Sequence, residues 1–237
     1  MTAGEGKLSL VATPIGNLKD ITIRALEVLK EADIICAEDT RHARTLLDHY
    51  DITTKPVSYH DQNAVEMAPR VAKWVSEGKK VALISDAGTP GVSDPGFRAV
   101  KAVTSAGLTV EMIPGATSVV IALVLSGLGV DRFTFEGFLP VKKGRQTRLA
   151  ELAVEARTMI IFEGPHKLPG TLMDLADSLG NDRPAAICRE LTKLFEEIRR
   201  GTLGELADWY KRNSPKGEIV IVVEGLSAAN KRRKLED

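Results

Sequence analysis

Continuous apolar runs of strand length alternate with amphipathic helical stretches along the first half of the chain, and that alternation limits the fold more than any other feature. The runs are "LSLVAT" (8–13), "DIICAE" (33–38), "VSYH" (57–60), "VALIS" (81–85) and "VEMIP" (110–114). Between them lie "TIRALEVLKEA", "AVEMAPRVAKWVSEG" and "DPGFRAVKAVTSAG", with apolar residues three and four apart and Gly at two of the ends. Strands that are apolar throughout, rather than at every second residue, belong to a parallel sheet covered on both faces. A second series follows "IPGATSVVIALVLSGLG", itself a helix entered at Gly115–Thr117: "RFTFEGF" (132–138), "TMIIFEG" (158–164), "AAICREL" (185–191), "FEEIRRGTL" (195–203) and "GEIVIVVEG" (217–225). This half is expected to form a mixed sheet, because its last two strands are close enough to make an antiparallel pair. The order predicts two α/β domains, residues 1–114 and 115–237, with no internal repeat.

Composition narrows the partners. Lys plus Arg and Asp plus Glu number 32 each, so no global field recruits a polyanion and any nucleic acid must be held by a local patch. The two cysteines, Cys36 and Cys188, sit in apolar runs with no neighbouring Cys or His, which predicts reduced thiols and no metal site. "MTAGEGKLSL" has no basic segment leading into an apolar one, and no run approaches the roughly 20 apolar residues of a membrane span, so a cytoplasmic location without membrane attachment is expected. The end "NKRRKLED" reads as a basic tail.

Polar and small residues collect where the strands end. The four segments are "ATPIGNLKD", "AEDTRH", "SDAGTPGVSDPG" and "IPGATS", and open α/β sheets bind ligands beyond the carboxyl ends of their strands. Glycine there lets a ligand approach the main chain, although Gly and Pro also simply make turns. Ordinary nucleotide motifs are missing: "TPIGNL" is not G-x-G-x-x-G, and neither G-x-x-x-x-G-K-[ST] nor G-x-S-x-G occurs. From the residues alone, the chain is a two-domain α/β protein with an unusual nucleoside-like site and an unassigned reaction.

The segments "VATPIGNLKDITIRALEVLKEADIICAEDTR", "LISDAGTPGVSDPG", "IPGATSVVIALVLSGL", "FEGFLP", "RELTK" and "GEIVIVVEG" occur in the order found in the tetrapyrrole-methylase superfamily. Over residues 8–225 the chain most resembles the ribosomal small-subunit methyltransferase I branch, whose members methylate a cytidine 2′-hydroxyl of 16S rRNA with S-adenosylmethionine. The resemblance implies the class III methyltransferase fold, two α/β domains with the cofactor in a cleft between them, and a homodimer. It implies cofactor contacts from Pro14, Asp86, Ala87, Gly88, Val92, Ser93, Thr117, Ser118, Phe162 and Leu191; for Val92, Phe162 and Leu191, plain core packing is the alternative. A tetrapyrrole C-methyltransferase would share fold and cofactor, but "SDAGTPGVSDPG" departs from the G-G-D-P pattern of that branch. A non-catalytic S-adenosylmethionine-binding module is a further alternative.

Transfer of a methyl group to a ribose requires alignment of donor and acceptor and removal of the hydroxyl proton. Candidates on strand ends are Glu38, Asp39 and Arg41, then Glu163 and His166, then Arg189, Glu190 and Lys193. Of these, Asp39, Glu163 and Glu190 are the expected catalytic carboxylates. Asp39 and Arg41 equally suit an ion pair that fixes their loop, and His166 an idle position at a helix start. Members of the family it resembles often carry E-x-x-H-R where this chain has "EGPHK", so Lys167 replaces a planar fork with a point charge. The expected RNA contacts are Arg41, Lys142, Lys143, Arg145, Arg148, His166 and Lys193, four of them in "PVKKGRQTR", which could also be a solvated helix start.

Overall fold

The computed structural model describes residues 6–226, so the basic tail lies outside the described residues. Contacts divide the chain into two compact units, Met1–Thr117 and Ser118–Asp237, three residues beyond the division expected from sequence.

The first unit runs β1 (Lys7–Val11), α1 (Ile23–Glu31), β2 (Ile34–Ala37), α2 (Thr40–His49), β3 (Pro56–Ser58), α3 (Ala64–Ser76), β4 (Lys80–Ile84), α4 (Gly96–Ser105) and β5 (Thr109–Ile113). Its sheet has the order β3-β2-β4-β1-β5, and every pairing is parallel. Leu8, Leu10, Leu83 and Cys36 pack with Met67, Val71 and Val75 of α3 and Ala99 and Val103 of α4 on one face. Val11, Ile35 and Ile84 pack with Ala25 and Leu29 of α1 and Ala43 and Leu47 of α2 on the other. Both faces are therefore covered, which is why the strands carry apolar residues throughout. Each fully buried Leu or Ile side chain contributes about 1.5–3 kcal/mol relative to exposure. The start of α1 follows its cap, with the Ala25 N–H donating to Thr22 Oγ1 at 3.1 Å, and in the loop leading to α4 Asp94 Oδ1 accepts from the N–H groups of Gly91 (2.7 Å) and Gly96 (2.8 Å).

The neighbouring strands β1 and β4 send their chains to opposite faces, β1 to α1 and β4 to α4. Where crossovers diverge in this way, the carboxyl edge of an open sheet is left with a crevice.

The second unit runs α5 (Ser118–Ser126), β6 (Phe133–Phe138), α6 (Arg145–Ala153), β7 (Thr158–Glu163), α7 (Leu168–Leu179), β8 (Pro184–Arg189), β9 (Glu197–Thr202), α8 (Leu203–Arg212) and β10 (Ile219–Val223). Its sheet is mixed, with the order β6-β7-β10-β8-β9. The expected antiparallel pair of the last two strands does not form. Instead β10 inserts between β7 and β8, antiparallel to both, and β9 pairs antiparallel with β8. The helix α8 explains this: a connection through ten helical residues is a crossover between strands of like direction, not a hairpin. A capping box between Thr202 and Glu205 starts that helix directly at the end of β9. In β6 the register slips between Phe135 and Gly137, a bulge that leaves Glu136 out of the ladder.

Candidate active site

The loops after β1, β2, β4 and β5 meet at one edge of the first sheet because all four strands point the same way. Direct bonds tie them together. Thr13 and Gly88 exchange backbone hydrogen bonds (Thr13 N to Gly88 O, 2.9 Å; Gly88 N to Thr13 O, 3.1 Å), and Thr13 Oγ1 donates to the Ser85 carbonyl at 3.3 Å. Thr89 Oγ1 donates to the Ala116 carbonyl at 3.2 Å, joining the β4 and β5 loops. The Asp39 N–H donates to Asp86 Oδ1 at 2.9 Å, joining those of β2 and β4.

Gly88 is the residue that this arrangement cannot replace without strain. It is buried with φ +80°, and a Cβ there would lie 3.2 Å from Ile15 Cγ2 and 3.7 Å from the Ala116 carbonyl oxygen. At Gly115 a Cβ would stand 2.9 Å from that of Ala12, so the β1 and β5 loops are in direct contact. Of the other expected cofactor residues in this unit, Asp86, Ala87, Val92 and Ser93 are exposed and Pro14 is buried. Ser93 adopts a left-handed φ of +65°. Thr117 and Ser118 are half-buried and fall on either side of the division between the units.

This edge is acidic. Burial raises the Glu38 carboxyl above its ordinary range, and the charges of Asp86, Asp94 and Asp61 add to the rise. Asp39 behaves oppositely: hydrogen bonds from the Arg41 side chain and backbone hold it down at about 2. The Arg41 guanidinium grips both Asp39 oxygens, at 3.3 and 2.9 Å, and the same carboxylate accepts the N–H groups of Arg41 and His42. Thr40, Arg41 and His42 therefore form the first turn of α2, with Asp39 as its N-cap.

In the second unit the strand register sets Glu163 and Arg189 on either side of Ile219, so the expected residues of β7 and β8 share one sheet edge. Glu163 is buried; it accepts the Gly164 N–H at 2.7 Å and the Thr171 hydroxyl at 2.5 Å. Glu190 Oε1 accepts from Lys193 Nζ and the Glu218 N–H, each at 2.9 Å. Burial pushes the Glu190 carboxyl up, but those two donors outweigh it and leave it below its ordinary value. Its side chain occupies the space above Gly217, which has φ +88°. Glu190 and Thr192 are themselves left-handed, φ +52° and +66°, and between them Leu191 is turned into the core, 5% exposed. Phe162 packs edge-to-face on Phe135 and Phe138, with centroids 4.9 and 5.7 Å apart. His166 is exposed just before α7.

The four cations of "PVKKGRQTR" part company. Arg145 is fixed by Asp174 (2.7 Å), Thr171 Oγ1 (2.9 Å) and the Pro140 carbonyl (3.0 Å). Arg148 is held by Glu151 and by Glu136, the residue at the β6 bulge. Lys142 and Lys143 are exposed. Lys193 is similarly engaged, with Glu190 and with Glu218 at 3.1 Å.

Thr13 and Thr89, whose hydroxyls tie the loops of the first edge, were not singled out from sequence. The signal was the Thr-Pro pair repeated in "ATPIG" and "AGTPG". Among the described residues no group of three His, Cys, Asp or Glu side chains is placed to hold a metal ion, and no helix is long and apolar enough to cross a membrane. Cys36 and Cys188 are free and buried.

Known proteins share this architecture. Uroporphyrin-III C-methyltransferase from Thermus thermophilus superposes with a TM-score of 0.67 over 96% of this chain and 98% of its own, at 23% identity. Diphthine synthase gives 0.73 over 92% of this chain and 90% of its own, at 16% identity; both likenesses show the fold alone. The curated ribosomal RNA small subunit methyltransferase I of Synechocystis is 50% identical over 93% of this chain and 79% of its own length. The Mesorhizobium japonicum protein of that name is 53% identical over 92% and 75%, and the Escherichia coli O157:H7 one 45% over 94% and 79%. Residues 7–207 match the family model described as tetrapyrrole (corrin/porphyrin) methylases, and this chain belongs to that family.

Proposed function

We propose that this protein transfers a methyl group from S-adenosylmethionine to the ribose 2′-hydroxyl of a cytidine in 16S rRNA of the small ribosomal subunit. The observation that carries the reading is 45–53% identity, over more than nine-tenths of the chain, to proteins curated as ribosomal RNA small subunit methyltransferase I. The residues of the first edge suit the cofactor. Gly88, at φ +80° and bonded to Thr13 through both of its main-chain groups, holds the β4 loop against the β1 loop and so sets the exposed Asp86, Ala87, Val92 and Ser93 at this edge, where the carboxylates of Asp86 and Asp94 favour a ligand with a sulfonium and an ammonium group. Asp86, Ala87, Gly88, Val92 and Ser93 are the proposed contacts of the β4 loop, with Pro14 and Thr117 beside them. Ser118 and Phe162 are the proposed contacts from the second unit, whereas Leu191, turned into the core, serves packing instead.

S-adenosylmethionine supplies a methyl group already activated by its positive sulfur. The protein must hold the acceptor hydroxyl in line and take its proton. Asp39, at about 2 and clamped by Arg41, has little affinity for a proton and serves to position the β2 loop. Glu163 and Glu190 are each spent on two local hydrogen bonds. Glu38, at the end of β2 and raised by burial, is the carboxylate at the first edge best matched to accept the proton. The RNA contacts that remain open are Lys142, Lys143 and His166, whereas Arg41 is already clamped to Asp39. A homodimer and a cytoplasmic location complete the proposal; exposed apolar residues such as Val120 and Val124 on α5 suit burial against a second copy. A monomer by light scattering over a wide concentration range would remove the dimer.

The deciding experiment incubates small subunits from cells lacking this methylation with the protein and labelled S-adenosylmethionine, then maps the product by mass spectrometry. A methyl group on a cytidine 2′-oxygen is expected. A methyl group on a base carbon, or transfer only to a tetrapyrrole, would refute the reading.

A further inference from the structure

The second unit holds a cationic groove lined by none of the residues considered above for the cofactor. It encloses about 390 Å³ between the edge strand β9, the end of α8 and the turn after it, within the roughly 300–1,000 Å³ of small-molecule sites. Arg189, Glu197, Arg199, Trp209, Tyr210 and Lys216 line it. Arg189 and Glu197 are direct cross-strand neighbours, and Arg199 lies two residues along β9 on the same face. That face carries the core of Ile187, Ile221 and Leu206, so the groove is where the apolar layer gives way to charge.

Two guanidinium groups share one carboxylate. Glu197 accepts from Arg189 Nε at 3.2 Å and from Arg199 Nε and Nη2 at 3.2 and 2.8 Å, which fixes both guanidinium groups in place. Arg189 Nη1 also donates to the Lys216 carbonyl at 3.4 Å. The Arg199 guanidinium lies over the Trp209 ring, 3.9 Å from its centroid, and the ring is 39% exposed. An independent feature points into the same space. Tyr210 is 3% exposed, and its hydroxyl, beside Arg199, has no well-formed hydrogen bond. A buried hydroxyl is seldom left so, and an anion would satisfy it.

We infer that this groove is a subsite for a phosphodiester of the RNA substrate. Tyr210 OH and Lys216 Nζ bond the phosphate oxygens, with the fixed arginines supplying the charge and Trp209 a surface for the adjoining sugar or base. Arginine forks and an aromatic plane side by side fit an RNA strand better than a free anion, which has nothing to lay on the ring. The inference rests on the RNA-methylation reading and extends it.

The test measures methyl transfer to undermodified small subunits at several salt concentrations for Tyr210→Phe, Lys216→Ala and Trp209→Ala, with cofactor calorimetry and thermal unfolding alongside. A three- to tenfold rise in KM is expected with kcat and cofactor Kd unchanged, Tm unchanged in Tyr210→Phe and Lys216→Ala and lowered in Trp209→Ala, which removes the ring under Arg199, and Lys216→Ala should reduce the salt slope by about 0.7–0.9. Unchanged KM and slope in all three variants, with the wild type methylating subunits, would overturn the groove and leave the function standing. Wild-type protein that binds subunits without methylating them, while the variants bind more weakly, would remove the function and support the groove. In a Trp74→Phe background Trp209 is the remaining tryptophan. Quenching of its fluorescence by inorganic phosphate, with KM unaffected in the variants, would make this a free-anion site and overturn the inference.

Discussion

Replacing Gly88 by Ala separates the loop's backbone geometry from its place in the fold. At φ +80° an L-residue costs about 1–2 kcal/mol. The new methyl group meets Ile15 Cγ2 at 3.2 Å, a few tenths of an ångström too close, which a small shift of that side chain relieves. Gly107, after α4, has φ +70° and nothing within 4 Å of its Cβ direction, so Gly107→Ala carries the same backbone strain far from the loop edge. Both variants should therefore lose about 1–2 kcal/mol, or roughly 3–12 °C in Tm for a unit of this size. Only Gly88→Ala should weaken the cofactor. The strained residue and the shifted Ile15 displace the neighbouring Asp86 and Ala87, which lie exposed on the same loop and are offered to the ligand. A loss of 1–2 kcal/mol in binding corresponds to roughly a 5- to 30-fold rise in Kd. Calorimetric titration with S-adenosylmethionine, beside thermal melts, reads both quantities. Equal melting losses with Kd within about twofold of wild type would refute the idea that this loop contacts the cofactor.

Further outcomes follow from charges and thiols. Lys142→Ala and Lys143→Ala should each flatten the salt dependence of RNA binding by up to about 0.7–0.9 slope units without affecting Tm, whereas Arg145→Ala should destabilise by about 1–3 kcal/mol because it strips Asp174 and Thr171 of their partner; a melting profile unchanged in Arg145→Ala would refute the assignment. Glu38→Gln should lower kcat at least tenfold with cofactor Kd little changed, and undiminished single-turnover rates would exclude Glu38 as the proton acceptor. Burial raises Cys36 to about 12 and Cys188 to about 11, so both thiols should resist iodoacetamide at pH 8 until urea unfolds the chain. The unfolded chain ionises first, near 9, so this contribution to stability is complete below that pH and declines above it, by about 1.4 kcal/mol per pH unit per thiol, until the folded values are reached. Stability flat from pH 9 to 10.5 would contradict the burial.

Continuous apolar runs made the parallel first sheet legible, since covering both faces removes the alternation that a half-exposed strand would show. The strand-end loops were legible for the same reason: parallel strands put all their carboxyl ends on one edge. The pairing in the second sheet was not. "FEEIRRGTL" and "GEIVIVVEG" are near neighbours along the chain, and only the helix between them, with its Thr202–Glu205 capping box, reveals a crossover. The motif "TLGE", a Thr followed three residues later by Glu, was present in the sequence as the sign of that helix.

The roles of charged residues were hidden because the partner that decides them is remote in sequence. Arg145 and Arg148 stand one turn apart beside two lysines and share their charge, yet Asp174 lies 29 residues beyond Arg145 and Glu136 lies 12 before Arg148, raised out of its strand by a bulge. Glu190 has the same history, with Glu218 brought to it by β10. A carboxylate or guanidinium engaged in this way holds two segments of chain together, and an RNA phosphate must compete with that bond before gaining anything. Cations without such a partner are cheap to recruit, which favours Lys142 and Lys143 over the arginines that follow them. Arg189 and Arg199 are an intermediate case: Glu197 holds both, but one carboxylate cannot neutralise two guanidinium groups and the neighbouring Lys216, so their groove keeps a surplus of positive charge in a fixed geometry. In a chain whose total charge is zero, RNA capture depends on such local surpluses and not on the number of basic residues.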